Sequence, residues 1–537
     1  MSSAPLFPPS LEELRRMSSN QLQDLALKLR ADWHGRAIGK KAHLQSSLCV
    51  TELSIALHAV FHTPEDVLIW DVGHQAYVHK WLTGRGEGLT TMRKQGGISG
   101  FPKRAESLHD AFGTGHSSTS ISALAGMAHA SRLRGERKKF VAVIGDGALT
   151  GGQSFEALNH APELGADLLV VLNDNGRSLE DNVGILHRSG GYKDFFHSLG
   201  WAYHSAVDGH SIPELLAALK EVNESTGPRV LHVRTQHPAD LIQPKATMPN
   251  SSGDMSFSQV FGQTMARMLE AGEQVVVVSP AMLSAAHLSP LKKRFPQRVL
   301  DTGITEQHAV TLAAGMAASG VRVFCHLYST FSQRAMDQII HDVALQQLPV
   351  TFVLDRAGIT GADGPTHHGV FDLALMRPIP NIELWDAQNG DMLSAILWKS
   401  LKSPGPVSVR IPRADTTLSN AAPSLDALSI FPKSGESKEA RLYVGHALRL
   451  IPPDGFAGRQ AILNRVKPLP VASLETFCEG VRQLEVWEDG SRMGGIGEQI
   501  AFVYSGSSLN VLSRSVPDRF IDHGDTDGLW KEIFDEA

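Results

Sequence analysis

Two kinds of apolar pattern alternate along the first half of the chain. Continuous runs such as FVAVIG (140–145) and LLVVLN (168–173) have the length and β-branched content of strands buried on both faces, whereas IPELLAALKEV (212–222) repeats its apolar positions at helical spacing. Strands alternating with helices predict parallel sheets covered on both sides, an α/β architecture. The pattern fades over QHPADLIQPKATMPNSSGDMS (236–256), which is rich in Pro, Ser and polar residues, as a linker is. It resumes with VVVVS (275–279), VRVFCHLY (321–328) and LPVTFVLD (348–355), and closes at PGPVSVRIPR (404–413). After a second polar stretch (414–429), a shorter block carries AILNRVKPLP and LEVWEDG. The expected organisation is a first domain over 1–238, a linker over 239–256, a second domain over 257–416 and a small third domain over 430–537.

Length and composition agree with that division. A chain of 537 residues is too long for one core. Its 42% apolar and 20% charged residues are those of an ordinary globular protein. A formal net charge of -6 and the lack of any block of Lys and Arg speak against nucleic acid or a membrane surface as partner. With no apolar segment of leader or spanning type, the expected place is the cytoplasm. Cys49, Cys325 and Cys478 fall in no metal-ligand spacing and are expected to be reduced and buried.

The chemistry concentrates where strands end. The first run stops at Gly145-Asp146-Gly147 and the next at Asn173-Asp174-Asn175. Neighbouring parallel strands end on the same side, so the two clusters can face one crevice, where ligands bind in such sheets. Asp146 and Asn175 would offer hard oxygen ligands to Mg²⁺, with the backbone carbonyl of Arg177 beyond, and phosphate and water completing the octahedron. Gly-Asp-Gly alone also makes ordinary turns; the pairing with Asn175 is what gives it weight.

That pairing resembles the thiamine diphosphate motif of transketolase-like enzymes, a resemblance that implies three α/β domains with mostly parallel sheets and a glutamate from another domain at the cofactor. GITEQHAV (303–310) supplies Glu306. The phrases IWDVGHQAYVHK (69–80), GHSSTSIS (115–122), YSTFSQRAMDQ (328–338) and DRAGITGADGPTHHGVFD (355–372) narrow the likeness to the 1-deoxy-D-xylulose-5-phosphate synthase family. The resemblance implies His74, Gly115, His116, Ser117, Gly147 and Ala148 along the cofactor, and Asp146, Asn175 and Arg177 at Mg²⁺. It further implies Glu306 activating the aminopyrimidine ring, Phe331 stacked on it and Arg334 nearby. Tyr328, Arg356 and Arg413 would hold the substrate phosphate, a task that suits guanidinium forks. His43, Asp363 and His367 would handle protons. The implied reaction joins pyruvate, with loss of CO₂, to D-glyceraldehyde 3-phosphate in a homodimer, giving an entry compound for isoprenoid precursors and for thiamine and pyridoxal cofactors.

The chain also departs from its relatives. Several tens of residues expected after EDNVG (180–184) are missing, and Gly190-Gly191 would close the shortened connection. HVRTQHPADLIQ (232–243) replaces the family's linker phrase and its histidine, with His237 nearest by position. Ser47 and Cys49 stand in a stretch that is glycine-rich in the family, and would stiffen it. Two other readings therefore stay open: another transketolase-type enzyme with a different acceptor pocket, and a noncatalytic paralogue that binds the cofactor.

Overall fold

The structure, a computed structural model, describes residues 6–35, 43–178, 181–188, 190–236, 255–419, 425–431, 437–450 and 455–536. The chain divides into two compact units, Met1–Thr247 and Met248–Ala537.

The first unit is built on one five-stranded parallel sheet. Its strands are β1 (Val67–Trp70), β2 (Phe140–Gly145), β3 (Leu169–Asp174), β4 (Ala202–Asp208) and β5 (Arg229–Arg234), in the order β1-β2-β3-β5-β4. Successive side chains of a strand point to opposite faces, and both faces are used. Val141, Val143, Leu169 and Val171 pack in one buried cluster with the helices Leu11–Arg16, Ser19–Gly35, Thr51–Val60 and Ile212–Glu224. Ala142, Ile144, Val170 and Leu172 pack in another with Ser120–Leu133 and Gly152–His160. The continuous apolar runs of β2 and β3 are thus explained by burial on two sides. Gly145 of β2 pairs with Asn173 of β3, so the two polar strand ends lie side by side as the sequence predicts.

In the second unit, β6 (Met255–Ser256) pairs antiparallel with β13 (Asp415–Thr416). Ser256 then caps the helix Phe257–Glu270 in a reciprocal box with Gln259. The strands β7 (Val275–Val278), β8 (Val299–Leu300), β9 (Arg322–Tyr328), β10 (Val350–Ala357), β11 (Glu383–Asp386) and β12 (Val407–Pro412) precede β13. After it come β14 (Leu428–Ile430), β15 (Glu439–Val444), β16 (Arg459–Leu463), β17 (Arg465–Lys467), β18 (Gln483–Ser491) and β19 (Asn510–Val516). One sheet runs β17-β11-β12-β10-β9-β7-β8 and another β14-β16-β15-β18-β19. Pairing is parallel except at β11–β17, β14–β16 and the small β6–β13 ladder. The expected α/β fold of mostly parallel sheets is therefore present.

One strand crosses the expected division. β17 follows β16 after a single residue, yet pairs with β11 at the edge of the seven-stranded sheet. Asn464, the residue between them, donates its carboxamide to the Asp426 carbonyl and to Ser429 Oγ, which fixes the point of crossing. All but residues 255 and 256 of the expected linker, and His237, lie outside the described residues.

Candidate active site

In the first unit the segment after β1, the 115–120 turn and the segments after β2 and β3 are tied together. Asp71 accepts from the backbone N–H of Ser118 at 2.8 Å and of Ser120 at 3.0 Å. Ser118, held at φ 70°, donates its hydroxyl to the Ala148 carbonyl at 2.7 Å. The turn carrying Gly115, His116 and Ser117 is thereby fixed against Ala148. Gly73, after β1, is required by its close approach to Pro102 and Thr114: a Cβ there would stand 2.3 Å from Pro102 Cδ and 2.5 Å from Thr114 Oγ1.

The three residues at the end of β3 have different partners. Asn173 is fully buried, donating to Gln75 Oε1 at 3.1 Å and accepting from Thr235 Oγ1 at 2.6 Å, and so links the β1 loop to the end of β5. Asp174 lies 2.8 Å from His232 Nε2, and Tyr203 holds the other ring nitrogen at 2.7 Å. Asn175 accepts from the Arg177 N–H in a local turn at 3.0 Å. The Arg177 side chain is exposed and pairs with Asp181, while its backbone forms an isolated bridge to the same residue.

Asp146 is 1% exposed at the start of the short helix after β2. It accepts from the N–H of Gly147 at 3.0 Å and of Gly176 at 2.9 Å, and from Asn182 Nδ2 at 2.6 Å. Burial, reinforced by the Asp174 carboxyl, pushes Asp146 up to about 8, whereas the His232 hydrogen bond overcomes burial and holds Asp174 down near about 2. Two crowded carboxyls beside carboxamide and carbonyl oxygens form a donor set suited to a hard divalent cation. Among the described residues no group of three or more His, Cys, Asp or Glu is placed to hold a metal, so beyond carboxylate such a cation would need amide, carbonyl, phosphate or water oxygens. Gly147 is required by close approach, since a Cβ there would lie 2.7 Å from Ser178 Cβ.

His43 adopts φ 62° at the head of a short helix, with its ring 6.0 Å from those of His74 and Phe101. Burial, with His43 beside it, pushes His74 down to about 3, so its imidazole is neutral; its Nδ1 has no partner among the described residues. Ser47 donates to the His74 carbonyl at 3.2 Å and accepts from the Tyr77 N–H at 3.3 Å.

The second unit assembles the remaining candidates. Glu306 opens the helix Glu306–Ala318 and is 4% exposed. Burial raises its carboxyl above the usual range, and Arg334, 3.5 Å away, only partly opposes this. Phe331 stacks on Tyr328 with centroids 5.6 Å apart and meets the His367 ring edge-on at 5.6 Å. The Arg356 guanidinium covers the other part of this cluster, 4.1 Å from the Tyr328 ring centroid. Arg356 itself sits at φ 60°, its N–H held by Asp355 at 2.7 Å. Burial opposes the Asp355 charge, but hydrogen bonds from His326 and Ser258 prevail and keep its carboxyl below the ordinary value. Arg356 and Arg413 both line a cavity of about 300 Å³ with Ser256, Ser258 and Asp415. Arg413 also reaches Asp363 at 3.4 Å, and the buried Tyr328 hydroxyl has no partner among the described residues.

Asn182, Asp71, Ser118 and His232 carry the site alongside the residues singled out in the sequence. Asn182 and Asp71 stand in the quoted phrases EDNVG and IWDVGHQ, a signal of place without role. His232 is 58 positions from Asp174 and offers no local signal.

A family profile described as 1-deoxy-D-xylulose-5-phosphate synthase matches residues 9–191 and 189–235, and one described as the transketolase pyrimidine binding domain matches 253–417. The first match breaks at 189–191, the stretch that holds Gly190-Gly191. The 1-deoxy-D-xylulose-5-phosphate synthase of Alkalilimnicola ehrlichii is 40% identical over 599 aligned positions, covering 98% of this chain and 95% of its own. Those of Thioalkalivibrio sulfidiphilus and Syntrophomonas wolfei are each 39% identical, covering 97% and 98% of this chain and 92% and 93% of their own. An alignment longer than the 537-residue chain means that the relative carries residues this chain lacks. Near-complete coverage at this identity, with both profiles in order, makes the chain a member of the 1-deoxy-D-xylulose-5-phosphate synthase family.

Proposed function

We propose that the chain condenses pyruvate with D-glyceraldehyde 3-phosphate, releasing CO₂ and 1-deoxy-D-xylulose 5-phosphate, with thiamine diphosphate and Mg²⁺ as cofactors. The observation that carries this reading is the pairing of Arg356 and Arg413 on one cavity beside Tyr328, a polar site suited to a phosphorylated acceptor. Membership of the family and the order of the two profile matches support it.

In this reading Asp146, Asn175 and the Arg177 carbonyl hold Mg²⁺, while His74, the 115–117 turn, Gly147 and Ala148 line the diphosphate. Thiamine diphosphate, when bound, supplies the carbon nucleophile and the electron sink. Glu306 shares a proton with the aminopyrimidine, a task helped by a carboxyl whose affinity for protons is raised by burial. Arg334 limits that rise, and Phe331 offers the ring a face to stack on. His43, His367 and Asp363 exchange protons with the reacting oxygens. Neutral His74 is able to accept a hydrogen bond without carrying charge. No helix among the described residues is long and apolar enough to cross a membrane. The working form in this proposal is the cytoplasmic homodimer that the family resemblance implies.

The acceptor pocket is tested with Arg356→Ala and two acceptors, D-glyceraldehyde 3-phosphate and unphosphorylated D-glyceraldehyde. The KM for the phosphorylated acceptor should rise about ten- to a hundredfold, as expected for roughly 1.5–3 kcal/mol of hydrogen bonding to charge, with little change for the other. Equal losses with both acceptors would overturn the phosphate role. A wild-type protein that uses hydroxypyruvate or ketose donors but not pyruvate would favour a transketolase instead.

A further inference from the structure

Ahead of the break in the family match, one side chain outside the proposed ligand set reaches the crevice. Asn182 donates its Nδ2 to Asp146 Oδ2 at 2.6 Å, the same oxygen that accepts from the Gly176 N–H. Its Oδ1 is buried and has no hydrogen-bond partner among the described residues. That oxygen lies on the Gly147 side, 3.4 Å from where a Cβ on Gly147 would stand. A buried carbonyl oxygen without a donor costs about 1–3 kcal/mol. Any hydrogen-bond donor satisfies such an oxygen, and beside Asp146, the proposed cation ligand, a water held by that cation is a fitting one.

Resting on the functional reading above, we propose that Asn182 belongs to the cation site. Its Nδ2 fixes the rotamer of Asp146, and its Oδ1 accepts a hydrogen bond from a water bound to the divalent cation. Mg²⁺ keeps several of its waters in protein sites, so an acceptor in its outer sphere orients the ion without displacing a ligand. Asn182 lies within the first matched segment, 9–191, ahead of the break at 189–191.

The test is a Mg²⁺ titration of thiamine diphosphate binding, followed by calorimetry, on the full chain. Outer-sphere partners are typically worth ten- to a hundredfold in metal affinity. Asn182→Ala should therefore raise the Mg²⁺ concentration for half-maximal cofactor binding at least about tenfold, with unchanged thermal melting. Asn182→Ser stands in if the alanine protein does not fold. Half-saturation at the wild-type Mg²⁺ concentration in Asn182→Ala would overturn the proposal. A wild-type protein that binds no thiamine diphosphate in Mg²⁺ would overturn the functional reading and this inference with it.

Discussion

Asn173, Asp174 and Asn175 stand next to one another and do three different things. Asn173 is a cross-brace, Asp174 is the ionised partner of His232, and Asn175 ends in a local turn beside the crevice. The strand stop was legible because a strand that ends in three polar residues must satisfy them. Which residue does what was not, since the partners Gln75, His232 and Thr235 are distant in sequence. Glu306 was legible as a phrase, while its raised proton affinity follows from burial that no local pattern shows. Replacing it by alanine should lower turnover by about 10²–10⁴, the usual worth of a positioned proton-transfer group. Mg²⁺-dependent cofactor binding, read by calorimetry, should stay within a few fold. Unchanged turnover would remove Glu306 from the chemistry.

At the scale of elements, β2 and β3 were readable because burial on both faces writes an unbroken apolar run, and only strands of a covered parallel sheet need one. β17 was hidden: three residues carry too little pattern to announce which sheet they join. The loop from Gly358 to Gly369, which presents Asp363 and His367, closes on His368. Its Nδ1 accepts from the Thr360 N–H at 3.0 Å, which leaves the proton on Nε2, facing the Asp522 carbonyl at 3.3 Å. Burial pushes His368 down to about 4 from an ordinary value of 6.5. Between these values the unfolded chain binds the extra proton and the folded one does not, so this contribution to stability is whole above pH 6.5 and is lost as pH falls toward 4. His368→Asn keeps the acceptor and cannot titrate. Its stability in urea should fall less than that of the wild type between pH 7 and pH 5, by roughly 1–2 kcal/mol. Parallel pH profiles for the two proteins would contradict the assignment.

On the scale of the whole molecule, the two large sheets of the second unit share one apolar cluster and are also bridged by a buried charge node. Arg410 on β12 is fully buried and reaches Asp372 at 2.9 Å, Asp386 at 2.6 Å and Asp489 of β18 at 3.0 Å. Burial and the neighbouring carboxylates outweigh Arg410 at Asp386 and push it up to about 6, while Arg410 and His446 overcome burial and hold Asp489 below the ordinary range. Arg410→Met would strand these carboxyls, and the urea midpoint should drop by the equivalent of about 3–5 kcal/mol, against a negligible change if the node is dispensable. None of this was legible beforehand, since the four residues come from four separate phrases. The α/β class and the succession of sheets were, because they follow from alternating periods. The shortened connection and the altered linker are what make activity the question. The most direct measurement supplies purified protein with thiamine diphosphate, Mg²⁺, D-glyceraldehyde 3-phosphate and pyruvate labelled with ¹³C on all carbons. A five-carbon sugar phosphate carrying two labelled carbons, formed in step with labelled CO₂, is the predicted result; bound cofactor with neither labelled product would contradict it.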